Sequence, residues 1–148
     1  LAGAACASAQ HSGDPPVANW EAPHMSIRGP FTVSMTPTDA PEDGAFALAK
    51  TYEGSLAGTG AGQMLTHRTA TDGSAAYVAI ERIDGTLEGK AGTFAIVHRG
   101  VMDRGAKSLS ISVVPDSGTG ALEGLTGEMR IEIAEDGAHF YIFDYKLP

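Results

Sequence analysis

Ala75-Ala-Tyr77-Val-Ala79-Ile-Glu81-Arg-Ile83-Asp-Gly85-Thr-Leu87-Glu-Gly89-Lys-Ala-Gly92-Thr-Phe94-Ala-Ile96-Val-His98-Arg99 is the stretch whose reading decides the fold. Two runs of period-two alternation flank a Gly-Lys-Ala-Gly punctuation, which is the pattern of a β-hairpin with one buried face. A turn on Lys90 and Ala91 sets Leu87 opposite Phe94, Gly85 opposite Ile96 and Ile83 opposite His98. A slip of two residues sets Glu81 across from His98 instead. Both registers keep Tyr77, Ala79, Glu81, Ile83, Leu87, Phe94, Ile96 and His98 on one face, because side chains alternate strictly along a strand. Arg82, Asp84, Thr86, Glu88, Thr93 and Arg99 fall on the other, which reads as solvated.

The alternation continues outward from this hairpin in both directions. Phe31-Thr-Val-Ser-Met-Thr36 precedes it, and strands are expected over 45–56, 60–69, 75–83, 85–88, 92–102, 108–114, 119–122, 128–134 and 139–147. Turn residues separate them: Glu42-Asp-Gly44, Gly58-Thr-Gly60, Asp72-Gly73, Asp103-Arg-Gly105, Pro115-Asp-Ser-Gly118 and Glu135-Asp-Gly137. Short connections force antiparallel neighbours, and no segment has a convincing helical period; the best, Ala45 to Lys50, is too short. About eight long strands in a meander leave two unprotected sheet edges unless the sheet closes. The expected fold is therefore all-β, a single eight-stranded antiparallel up-and-down β-barrel over residues 27–148, preceded by an unstructured arm. Eight strands enclose just enough room for side chains or one small ligand. In the last strand, His139, Tyr141, Phe143, Tyr145 and Leu147 point inward, since Asp144 and Lys146 mark the opposite phase. The faces of Gln63 to His67 stay open, because the length of the Asp72-Gly73 loop decides them.

The chain has 148 residues, 10 Lys and Arg against 18 Asp and Glu, and a net charge of −8. That balance repels phosphate backbones and anionic lipid surfaces, so nucleic acid is a poor partner. No run of 18 apolar residues spans a bilayer. One cysteine, Cys6, excludes an internal disulfide framework. Leu1 to Ala9 carries the small-x-small pattern of a signal-peptidase site, so residues 1–26 are expected to be a signal-peptide remnant and a flexible arm. Periplasmic or secreted placement follows, with the cytoplasm as the alternative. The arm, with Pro15, Pro16 and Pro23, offers Trp20 as its one large apolar anchor, to pack on the barrel or to act as a lid. His11 and His24 lack a third ligand nearby, and no metal or cofactor is expected. No phosphate-binding loop, nucleophile elbow or paired-cysteine motif occurs. Gly58-Thr-Gly-Ala-Gly62 reads as hairpin punctuation and Ser117-Gly-Thr-Gly120 as a turn.

The polar interior set is then Tyr77, Glu81, His98, Tyr141 and Tyr145, with His139 near a rim. A buried carboxylate needs a partner, so Glu81 is expected to be neutral, to pair with His98, or to accept from a tyrosine or water. Phe31-Thr-Val-Ser-Met-Thr-Pro37, Gly62-Gln-Met-Leu-Thr66, the stretch from Gly73 to Gly100, Val113-Val-Pro-Asp-Ser-Gly-Thr-Gly120 and Phe143-Asp-Tyr-Lys-Leu-Pro148 cover about 120 residues in order. Through them the chain resembles the bacterial domain of unknown function 3224 family, related in fold to allene oxide cyclase-like barrels. The resemblance implies that barrel, places Glu81 and His98 within the family's own motif, and supplies no reaction. The expectation is a barrel that binds a small apolar or aromatic molecule through Tyr77, Phe94, Ile96, Tyr141, Phe143 and Tyr145, with Glu81 and His98 as candidate catalytic groups. One alternative is an isomerase or cyclase using that pair as general acid and base. Another is a filled structural barrel acting through its surface or as a homo-oligomer.

Overall fold

The computed structural model describes residues 23–38 and 44–148. The signal-like start with Cys6, the arm with His11 and Trp20, and most of the Glu42-Asp-Gly44 turn lie outside the described residues. Eight strands follow one another in the order of the chain: β1 (Met25–Pro37), β2 (Ala45–Tyr52), β3 (Leu56–Arg68), β4 (Ala75–Leu87), β5 (Lys90–Asp103), β6 (Ala106–Val113), β7 (Thr126–Ile133) and β8 (His139–Lys146). Each pairs antiparallel with the next, and β8 pairs back onto β1, so the sheet is a closed eight-stranded barrel. Closure removes the free edges that a meander would otherwise present. β1 starts at Met25, where Met25 and Ser26 pair with Tyr145 and Asp144.

The β4–β5 hairpin corrects both expected registers. Ile83 pairs with Phe94, Glu81 with Ile96 and Ala79 with His98, so the turn falls on Glu88 and Gly89 rather than on Lys90 and Ala91. Both turn residues have positive φ, 49° at Glu88 and 77° at Gly89, as a two-residue hairpin of the type I′ class demands. The left-handed conformation costs about 1–2 kcal/mol for a residue with a Cβ. Turning at Lys90-Ala91 would incur that cost twice, and turning at Glu88-Gly89 incurs it once. Arg104 and Gly105, at 48° and 92°, make the β5–β6 turn in the same way. A displacement by an even number of residues leaves the inward set unchanged, and Glu81, Ile83, Leu87, Phe94, Ile96 and His98 are all buried.

Three further expectations change. Gly58 to Gly62 is not punctuation but the middle of β3, and the β2–β3 joint lies at 53–55. Residues 85–88 are not a separate strand; through Leu87 they continue β4. Residues 119–122, expected as a strand, contain a single 3₁₀ turn, Gly120–Leu122. That segment covers the part of β5 that β6 is too short to reach. Thr119 and Val114 donate backbone hydrogen bonds to the carbonyls of Thr93 and Ala95, both at 2.8 Å. The Thr119 and Ser117 hydroxyls accept from the Thr93 and Ala95 amides, each at 3.0 Å. The turn also buries Leu122 and Leu125 against the core. In β3, Gly62, Met64 and Thr66 take the inward phase, being paired with Glu81, Ala79 and Tyr77, which leaves Gln63, Leu65 and His67 outside.

The interior divides along the barrel axis. In the half that holds the β4–β5 turn, the inner face is packed. Phe94 stacks on Phe143 with ring centres 5.9 Å apart and planes 7° from parallel, and Ile83, Leu87, Ile96 and Tyr141 surround them without solvent contact. In the opposite half the same inward phase runs out into solvent. Met35, paired with buried Leu48, is 55% exposed; Leu109, paired with Gly100, is 45% exposed; Ile133, paired with His139, is 65% exposed. The barrel is a cup: filled and capped at one end, open and apolar at the other.

Candidate functional site

The boundary between the two halves is a layer of ionisable side chains. Glu81, fully buried on β4, accepts from the Lys50 ammonium of β2 at 2.7 Å through Oε2 and from the Tyr52 hydroxyl at 2.6 Å through Oε1. His98 of β5 stands one diagonal step away, with Nε2 3.1 Å from the same Oε2. Glu81 and His98, singled out from alternation alone, are thus brought into direct contact. The backbone makes room for them. A Cβ on Gly60 would overlap Glu81 Oε1, so the glycine of β3 is the floor on which the carboxylate lies.

Burial alone pushes the Glu81 carboxyl up, because it penalises the charged form. The hydrogen bond from His98, the charge and hydrogen bond of Lys50 and the Tyr52 hydroxyl outweigh it, and the group is held below the ordinary carboxylate value, hence ionised at neutral pH. Of the expected states of Glu81, pairing is realised and neutrality is not. Burial, followed by the Glu81 charge and hydrogen bond, drives the Tyr52 hydroxyl well above its ordinary value. Tyr52 therefore stays a phenol that donates. The carboxylate oxygens of Glu81 are already occupied by three donors. What the layer still offers the open half comes from Lys50, whose side chain is 5% exposed, and His98, at 3%.

Sequence reasoning missed Lys50 and Tyr52. The signal was the alternation Leu48, Lys50, Tyr52 against small Ala47, Ala49 and Thr51; a lysine within an inward apolar set requires a buried anion, and Glu81 was the one available.

The other expected site residues separate. Tyr77 is half-buried at the open end; its ring covers Gly100, where a Cβ would collide with it, and its centre is 6.5 Å from that of His98. Burial, then the charge of Glu81, raises the Tyr77 hydroxyl. A cavity of about 310 Å³ opens beside it, lined by Thr66, Tyr77, Gly100, Met102, Lys107 and Leu109 among others. Phe94, Ile96, Phe143 and Tyr145 belong to the packed half. Tyr141 is occupied structurally: its hydroxyl donates to the Glu53 carbonyl at 2.8 Å and accepts from the Leu56 amide at 3.0 Å, clamping the β2–β3 joint. Among the described residues no group of three or more His, Cys, Asp or Glu side chains is placed to hold a metal ion, and no helix is long and apolar enough to cross a membrane.

Known proteins locate the chain by family. No protein of curated function matches it. The crystal structure of a protein with unknown function from the DUF3224 family of Shewanella oneidensis MR-1 is 41% identical, covers 85% of this chain and 98% of its own, and superposes with a TM-score of 0.81. The family model described as "Protein of unknown function (DUF3224)" matches residues 27–145, which include every strand but the ends of β1 and β8. The chain belongs to the DUF3224 family.

Proposed function

We propose that the barrel binds a small, largely apolar molecule in its open half, with the body of the molecule against the exposed inner face and its polar group on the Lys50–Glu81–His98 layer. The observation that carries the reading is the exposure of Met35, Leu109 and Ile133 on the phase that faces the barrel interior. Large apolar side chains turned inward yet wet are what an unfilled binding site presents, and a few convergent polar groups at its base are what such sites use for orientation. Eight strands enclose the right volume for one small ligand.

The test pairs a retained ligand with a probe. Native mass spectrometry of the protein purified from its own host should show a species heavier by one small molecule. The neutral fluorophore N-phenyl-1-naphthylamine should bind the protein, and Leu109→Arg and Ile133→Arg should each weaken it at least tenfold without lowering the melting temperature by more than a few degrees. Arginines at Val78 and Ile80, exposed on the outer face of β4, should leave it unchanged. A probe displaced by the outer pair and indifferent to the inner pair overturns the reading.

A proton-transfer chemistry is favoured over simple storage by one detail. Glu81, ionised, can only accept, so His98 Nε2 carries the proton of their hydrogen bond. In the neutral form of the ring Nδ1 is then an acceptor, and no hydrogen bond to it is formed among the described residues.

A further inference from the structure

The polar layer is more selective than a generic anchor. Lys50 and Glu81 neutralise one another, so the site has no net charge to offer an ion, and a ligand that enters without charge loses least on desolvation. The layer keeps one donor with capacity to spare, the Lys50 ammonium, whose three N–H groups are not exhausted by Glu81 at 2.7 Å and Tyr52 at 3.5 Å. Beside it is one acceptor, His98 Nδ1. The two belong to side chains that meet on the same oxygen, Glu81 Oε2, Lys50 through its ammonium and His98 through Nε2, which leaves Nδ1 on the other side of an imidazole adjacent to the lysine. No fully buried side-chain nitrogen or oxygen among the described residues lacks a partner; Nδ1, which has none, is therefore not sealed off, although the His98 side chain is only 3% exposed.

A carboxylate or phosphate ligand would satisfy Lys50 and press its lone pairs on that of Nδ1. A carbonyl with an acidic hydrogen on the adjacent carbon matches both: oxygen to Lys50, C–H to Nδ1. From this complementarity, and resting on the binding reading above, we propose that the layer enolises a neutral apolar ketone. His98 Nδ1 removes a proton from the carbon beside the carbonyl. The electron pair of that C–H bond becomes the carbon–carbon double bond, and the carbonyl π pair moves to oxygen, where the Lys50 ammonium holds the developing charge. The proton returns from His98 to the same carbon or to a conjugated one, giving exchange or a double-bond shift. Nothing is oxidised or reduced, and no co-reactant enters. Glu81 touches no reacting atom; it is a positioning residue that fixes the imidazole tautomer and neutralises Lys50. Met35, Met64 and Ile133 supply the apolar wall on the inward phase above the layer.

The experiment incubates the full chain with 2-tetralone in deuterated buffer and follows loss of the proton signals beside the carbonyl by NMR, while line broadening of the remote aromatic protons reports binding. The wild-type protein should accelerate exchange at least a hundredfold over buffer. His98→Gln, whose amide can still donate to Glu81, should abolish the acceleration with binding retained. Glu81→Gln should slow exchange at least tenfold with ketone affinity changed less than threefold, a split that a merely structural role for Glu81 would not produce. Tetralone that binds without exchanging overturns the enolisation and leaves the binding reading standing. Exchange that survives in His98→Gln also overturns it. Failure of both tetralone and N-phenyl-1-naphthylamine to bind removes the two readings together.

Discussion

Glu81 shows how one inward carboxylate organises its surroundings. A buried ion is tolerated only when paired and fully hydrogen-bonded, and removing one partner leaves the other stranded. Lys50→Met should cost about 3–5 kcal/mol in urea unfolding, much more than an exposed lysine, whose ion pairs are worth about 1 kcal/mol or less. The pH dependence has a definite sign. Because the folded protein holds Glu81 below its ordinary value, its contribution to stability is present above about pH 4.3 and is lost as pH falls through the lower, folded value. The stability difference between wild type and Glu81→Gln should therefore narrow between pH 6 and pH 3; a constant difference would mean the carboxyl is not perturbed. Gly60 tests the same group from below. With no Cβ it lets Glu81 Oε1 lie flat on β3, and Gly60→Ala should destabilise by about 1–3 kcal/mol.

Hairpins are where the sequence misleads and where it can be checked. Glycines at 89 and 92 bracket Lys90-Ala91 symmetrically, so the turn looks centred between them, but the left-handed conformation belongs to Glu88 and Gly89. Glu88→Asn, a residue that tolerates positive φ, should stabilise the protein by roughly 0.5–1 kcal/mol, raising the melting temperature by a few degrees. Were the turn at Lys90-Ala91, the same change would put a poor strand former into β4 and lower it. Alternation placed Glu81 and His98 inside because parity survives an even slip in register. It could not choose the partner opposite each, which turn strain decides. Lys50 was hidden because lysine is normally read as outward, and the glycine run of β3 because glycine is normally read as a turn. In each case the information lay in another strand, Glu81 being the reason both for the lysine inside and for the missing Cβ at Gly60.

At the scale of the whole barrel, the molecule is asymmetric: one end dry, the other open on the same inward phase. Large-to-small changes should separate the two. Phe94→Ala in the stacked pair should cost about 3–5 kcal/mol, whereas Met35→Ala at the mouth should stay within about 0.5 kcal/mol of wild type. The methionines give a direct readout, since they sample the molecule from end to end. Met35, Met64 and Met102 lie on the inward phase of the open half, Met129 is buried in the packed half, and exposed Met25 starts β1 at the far end. The most direct test is a titration of ¹³C-methyl-methionine protein with N-phenyl-1-naphthylamine followed by NMR. The cup predicts saturable shifts of the Met35, Met64 and Met102 methyls with Met25 and Met129 unmoved. Shifts confined to Met25 or Met129, or spread evenly over all five, would contradict it.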